Sequence, residues 1–85
     1  MSEILTNAAQ LRDRFECRLS LYLTRVAEAK FAYTNSRSQQ ALDLHEYNRR
    51  CAITVVACYG DATNMTFAQA RVALGVNQSM LDRLP

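Results

Sequence analysis

The residues in this chain that could do chemistry are one histidine, three cysteines and an uneven set of bases. His45 opens the run HEYNRRC, which has the glutamate of a zinc-protease helix but Arg49 where the second histidine would stand. No other His, Cys or Glu falls at ligand spacing around it, so a metal site is not expected. Cys51 lies six residues on, toward a different face of the same helix, which makes a poor Cys/His nucleophile pair. Cys51 and Cys58 are seven apart on one helix. Their Cα atoms are then about 10 Å apart, too far to bridge, and both read as core residues. Glycine-rich phosphate loops, a GxSxG elbow and clustered carboxylates are all missing from the sequence. These patterns predict a protein that is not an enzyme and needs no cofactor.

The bases point to binding. Nine of the ten are arginine, Lys30 being the exception, and the net charge is only +2. That charge is too small to argue for nucleic acid, whereas the planar fork of arginine suits phosphate, carboxylate and protein surfaces alike. Arg14, Arg18 and Arg25 recur at i, i+4 and i+11, which aligns them along one helix flank. Either they track phosphates, or they form a solvated flank pairing with Asp13, Glu28, Asp43 or Glu46; the second reading is the commoner use of such charges.

The elements that position these groups are helical. Ile4, Ala8, Leu11, Phe15, Leu19, Tyr22, Val26, Ala29 and Tyr33 recur every three or four residues without a glycine or proline between them. Thirty such residues make a rod of roughly 45 Å, which needs a partner helix along its length. The break is expected at TNSRS, 34–38, with Ser36 and Gln39 as a capping box for a second helix. In that helix Leu44, Tyr47, Cys51, Val55, Cys58 and Ala62 form the predicted buried stripe, ended by Gly60 and Asp61. Thr66 with Gln69 forms another capping box, and Gly75 is the stop that follows. The fold class is therefore all-α: one domain over 1–85, an antiparallel hairpin of long helices plus two short C-terminal helices, dimerising into a bundle.

Residues 66–84, TFAQARVALGVNQSMLDRLP without its final proline, resemble a helix-turn-helix, with Gly75 in the turn and Leu74, Val76 and Leu81 around it. The resemblance implies that Asn77 to Leu84 is a second helix whose Asn77, Gln78, Ser79 and Arg83 reach base edges in the major groove. Arg71 stands where the motif has a small residue, and Asp82 brings a negative charge toward phosphates. A glycine-capped helix followed by a folded-back amphipathic turn accounts for the same residues.

Leu21, Leu23 and Phe31 fall off the main stripe of the first helix and add apolar surface beyond what one partner needs. The expected function is thus a small protein-binding factor, an adaptor, inhibitor or chaperone-like regulator, docking through Arg14, Arg18, Leu21, Tyr22, Arg25 and Phe31. A DNA-binding regulator using 66–84 is the alternative, and RNA binding along a bundle face ranks last. An odd number of cysteines and no secretory leader pattern in MSEILTNAAQ predict a cytoplasmic location. No apolar run is long enough for a membrane span.

Overall fold

The computed structural model describes the backbone of residues 2–85 and the side chains of residues 8–85. Helix α1 runs Ser2–Ser36, α2 runs Gln39–Thr63, α3 runs Phe67–Ala73, and a 3-10 turn covers Gln78–Leu81. No strand occurs among the described residues. Two long helices pack lengthwise as a hairpin, in a body measuring 53 × 20 × 15 Å.

Each boundary has a local cause. Helix α1 continues through Ser36, whose hydroxyl donates to the Ala32 carbonyl at 2.8 Å. Arg37 then enters the left-handed region at φ 53°, its N–H closing on Tyr33 O at 2.7 Å. The cap of α2 is Ser38, which accepts from Ala41 N at 3.1 Å, so the predicted Ser36–Gln39 box sits two residues too early. Arg37 supplies the reversal that the sequence reading sought in side-chain competition over 34–38.

The far end of α2 also differs from expectation. Gly60 does not stop the helix; α2 continues to Thr63 and ends at Asn64, in the left-handed region at φ 58°. Gly60 is instead a point of close approach. A Cβ there would meet Met65 O at 3.0 Å and Ala70 Cβ at 3.5 Å, so its bare backbone lets α3 settle against α2. The Thr66–Gln69 capping box forms as predicted, with Gln69 N donating to Thr66 Oγ1 at 3.2 Å and Thr66 N to Gln69 Oε1 at 2.9 Å. Gly75 is the expected stop, at φ +73°. Val76 N reaches back to Arg71 O, and Gly75 N to Val72 O, both at 3.0 Å, which is a Schellman closure.

After Gly75 the chain makes no further α-helix. Residues 78–81 form a single 3-10 turn, and from Asp82, itself extended, the chain has no regular secondary structure, in place of the predicted helix over Asn77–Leu84. One turn with extended flanks has few backbone hydrogen bonds of its own. Its position comes from packing: Leu81 is buried, and Arg49 Nε donates to the Leu81 carbonyl at 2.7 Å.

The core gathers Leu19 of α1, Ala52, Val56 and Tyr59 of α2, and Ala70, Leu74, Val76 and Leu81 of the C-terminal segment. Phe15 meets Tyr59 edge-on, ring centroids 5.3 Å apart. Of the predicted α1 stripe, Leu19, Val26 and Ala29 are buried, Leu11, Phe15, Tyr22 and Tyr33 are half-buried, and Ala8 is exposed. The side chain of Ile4 lies outside the described residues.

Candidate functional site: the open face of the hairpin

Helix α2 buries a different stripe from the one its sequence advertises. The buried positions are Ala41, His45, Asn48, Ala52, Val56, Tyr59 and Gly60. Five of the predicted stripe positions each precede one of these by one residue, a turn of about 100° around the helix. Leu44 is therefore 49% exposed and Tyr47 63%, Cys58 and Ala62 are exposed, and Cys51 and Val55 are only half-covered. The prediction that Cys51 and Cys58 are core residues is corrected accordingly.

The cause is tertiary. Helix α2 must face α1 and the C-terminal segment together, and the arc common to both is centred on Ala52 and Val56. Small Ala41, Ala52 and Gly60 let backbones come close there. The rotation takes two polar side chains inside. Asn48 donates to the Leu44 carbonyl at 2.8 Å but leaves its Oδ1 buried without a partner. Burial holds the His45 imidazole below its ordinary pKa; Arg49 and Lys30 add to this, and Glu46 opposes it.

The apolar stripe left outside borders the arginine flank of α1. Arg14, Arg18 and Arg25 are exposed, and none is within ion-pair distance of a carboxylate among the described residues. Of the acids expected to pair with them, Glu46 is taken by Arg49 at 3.1 Å and Arg50 at 3.0 Å. Partial desolvation pushes the Glu46 carboxyl up, but its bond to Arg50 and the charges of Arg49, Arg50 and Arg83 outweigh that and hold it below the usual carboxylate range. Tyr22 and Arg25 of α1 meet Tyr47 and Cys51 of α2 across the seam. Cys51 holds the Tyr47 hydroxyl above the ordinary phenol range, Tyr22 adds to this, and Arg25 opposes it.

The structure thus gathers Arg14, Arg18, Tyr22 and Arg25 with Leu44, Tyr47, Cys51 and Val55 on one side of the hairpin, with exposed Leu21 at its edge. It does not bring Phe31 there. Phe31 is 71% exposed, but six residues from Arg25 means about a third of a turn around α1. Leu23 turns the other way, into the core edge near the C-terminal segment. Sequence reading missed Leu44 and Tyr47 as surface residues because it had already assigned them to the core.

The DNA-contact candidates Asn77, Gln78, Ser79 and Arg83 are all exposed, on the 3-10 turn and its flanks. Arg71, at the helix crossing, donates to the Val76 carbonyl at 2.7 Å and so braces the Gly75 turn. Among the described residues no three His, Cys, Asp or Glu side chains converge as a metal site would require, and no helix is long and apolar enough to cross a membrane. All three cysteines are free. Compared with protein-family models, with characterised proteins and with solved structures, the chain matches none.

Proposed function

We propose that this chain is a small, non-enzymatic, cytoplasmic binding factor that docks protein on the open face of its hairpin, as an adaptor, inhibitor or chaperone-like regulator. One observation carries the reading: the more apolar stripe of α2 faces outward beside three arginines that have no carboxylate partner among the described residues. A folded monomer gains nothing from that arrangement, since exposed Leu and Tyr at helical spacing forgo burial worth roughly 1.5–3 kcal/mol for each large side chain. A partner surface recovers it. Tyrosine and arginine are the side chains that most often dominate interface energy, and both are concentrated here.

The first partner is a second copy. Two hairpins laid face to face make a four-helix bundle in which the Leu44, Tyr47, Cys51 and Val55 stripes become a common core. Sedimentation of the wild type and of Tyr47→Glu at matched concentration tests this. A dimer that Tyr47→Glu turns into a folded monomer supports the reading; a wild-type monomer at all concentrations removes the bundle and leaves a heterologous partner as the occupant.

The DNA reading keeps one observation in its favour, the exposure of Asn77, Gln78, Ser79 and Arg83 together. It has a single 3-10 turn to offer the groove, with the Arg14, Arg18 and Arg25 strip on another side of the molecule. Anisotropy with labelled duplex DNA at low and physiological salt separates the two. Binding that weakens by several phosphates' worth of salt dependence favours the regulator, and none at low salt favours the protein partner.

A further inference from the structure

The open face carries its charges unevenly. Arg14, Arg18 and Arg25 are exposed along its α1 half, with no carboxylate in reach among the described residues. Asp61 is exposed at the margin of its α2 half, and it too has no ion-pair partner among them. At about 100° per residue, Asp61 falls about 40° around α2 from the Tyr47 column, on the edge away from α1.

The register of the hairpin sets these charges at matching heights. Phe15 meets Tyr59, ring centroids 5.3 Å apart. Arg14 is one residue back along α1 and Asp61 two residues on along α2, and because the helices run oppositely both steps go the same way. The two residues therefore stand well within one helical turn, about 5.4 Å, of the same level. Arg25 is level with Tyr47 in the same sense, since it approaches that side chain across the seam. Within one chain Arg14 and Asp61 stay apart, because the width of the face lies between them.

A second copy laid on this face can be turned in two ways. A two-fold axis across the helices lays α1 on α1 and brings the two arginine strips onto each other, a costly juxtaposition of like charge. A two-fold axis along the helices lays α1 of one protomer on α2 of its partner. Rotation about that axis moves nothing along it, so the antiparallel sense and the register of the single hairpin are kept. Arginine stems then cover the Leu44, Tyr47 and Cys51 stripe while their heads reach its margin.

We infer that two copies join by the second arrangement, with Arg14 paired to the partner's Asp61 and Arg25 set over the partner's Tyr47 ring. The inference rests on the reading of the open face as a docking surface, and it names the occupant and its orientation. By symmetry each contact occurs twice in the dimer.

Sedimentation of full-length Arg14→Asp, Asp61→Arg and the double exchange tests this, with circular dichroism to show that each keeps its helices. Each single change sets like charges together at two places and should weaken the dimer about tenfold, whereas the double exchange should return it to within about threefold of wild type. A double exchange no better than the singles overturns the axis and leaves a dimer on the open face. A link between Cys51 and Cys58 after mild oxidation, mapped by mass spectrometry, also overturns it. Those thiols cannot join within one helix, and α2 lying on α2 would bring them together. A wild-type monomer at all concentrations instead removes the open-face dimer itself, and the axis with it.

Discussion

On one side of the hairpin, α3 lies against Gly60, and Arg49 holds the carbonyl of Leu81 in the 3-10 turn. On the other, Leu44, Tyr47 and Cys58 meet solvent next to three exposed arginines. The covered side sets small Ala52, Gly60 and Ala70 among its larger core residues Val56, Tyr59, Leu74 and Leu81, whereas the open side of α2 leaves Leu44 and Tyr47 outside. The difference teaches that side-chain size here selects for approach distance. Where a neighbouring backbone must come close, the chain uses Ala and Gly; the bulky stripe is left for a surface that arrives from outside.

If that contrast is right, substitutions on the covered side should cost stability, and those on the open side should cost association alone. The largest effect is expected at Leu81, buried at the centre of the docked segment. Leu81→Ala should lower stability by about 2–5 kcal/mol, read as the urea midpoint, and in a domain of this size that threatens folding itself. Gly60→Val comes next. Its Cβ meets the Met65 carbonyl at 3.0 Å, and the γ-methyls compound the crowding, so about 1–3 kcal/mol should be lost, with α3 more open to proteolysis. Removing the capping hydroxyl with Thr66→Ala should cost about 1 kcal/mol, confined to α3 by hydrogen exchange.

A smaller effect should follow pH. Burial lowers the His45 pKa from its ordinary 6.5 in the folded state. The unfolded chain therefore takes up a proton that the native state resists, and stability that is complete above pH 6.5 declines as the pH falls through that value toward the folded-state pKa. The urea midpoint should be lower at pH 5.5 than at pH 7.5, and His45→Gln should flatten the slope. A slope that survives His45→Gln would remove the assignment, since the chain has no second histidine.

The smallest effect on stability is expected on the open side. The double change Arg18→Glu and Arg25→Glu should leave the urea midpoint of the monomer where it was while abolishing any self-association seen by sedimentation. If instead the midpoint falls as it does for Thr66→Ala, these arginines belong to the fold and the contrast between faces fails.

Much of the fold was legible because its signals are local. Helical periodicity located both long helices, the Thr66–Gln69 pair located the start of α3, and Gly75 located its end, since each depends on a few neighbouring residues. Three boundaries were misread where a local signal had two uses. Gly60 can stop a helix or admit a neighbour, and only the arrival of Ala70 shows which. Ser36 and Ser38 are both good caps, and the left-handed Arg37 between them decides in favour of Ser38. Residues 77–84 have the composition of a helix but too few turns to hold one, so their path follows Leu81 and Arg49.

The candidate face was legible only in half. Arg14, Arg18 and Arg25 could be placed on one flank from spacing alone, because angles around a single helix are set by its pitch, whereas Leu21 was grouped with Leu23 and Phe31, which point to different sides. Which of the two adjacent stripes of α2 turns inward could not be settled in that way. Both have helical period, and hydrophobicity favours the one that stays outside. The sequence by itself determined that the chain makes two long helices, a capped third and a stop at Gly75, since hydrogen bonds within a few residues suffice for each. Tertiary structure decided the rotation of α2, the burial of His45 and Asn48 and the exposure of Leu44 and Tyr47. Those depend on how closely three backbone segments can approach along one shared arc of small residues.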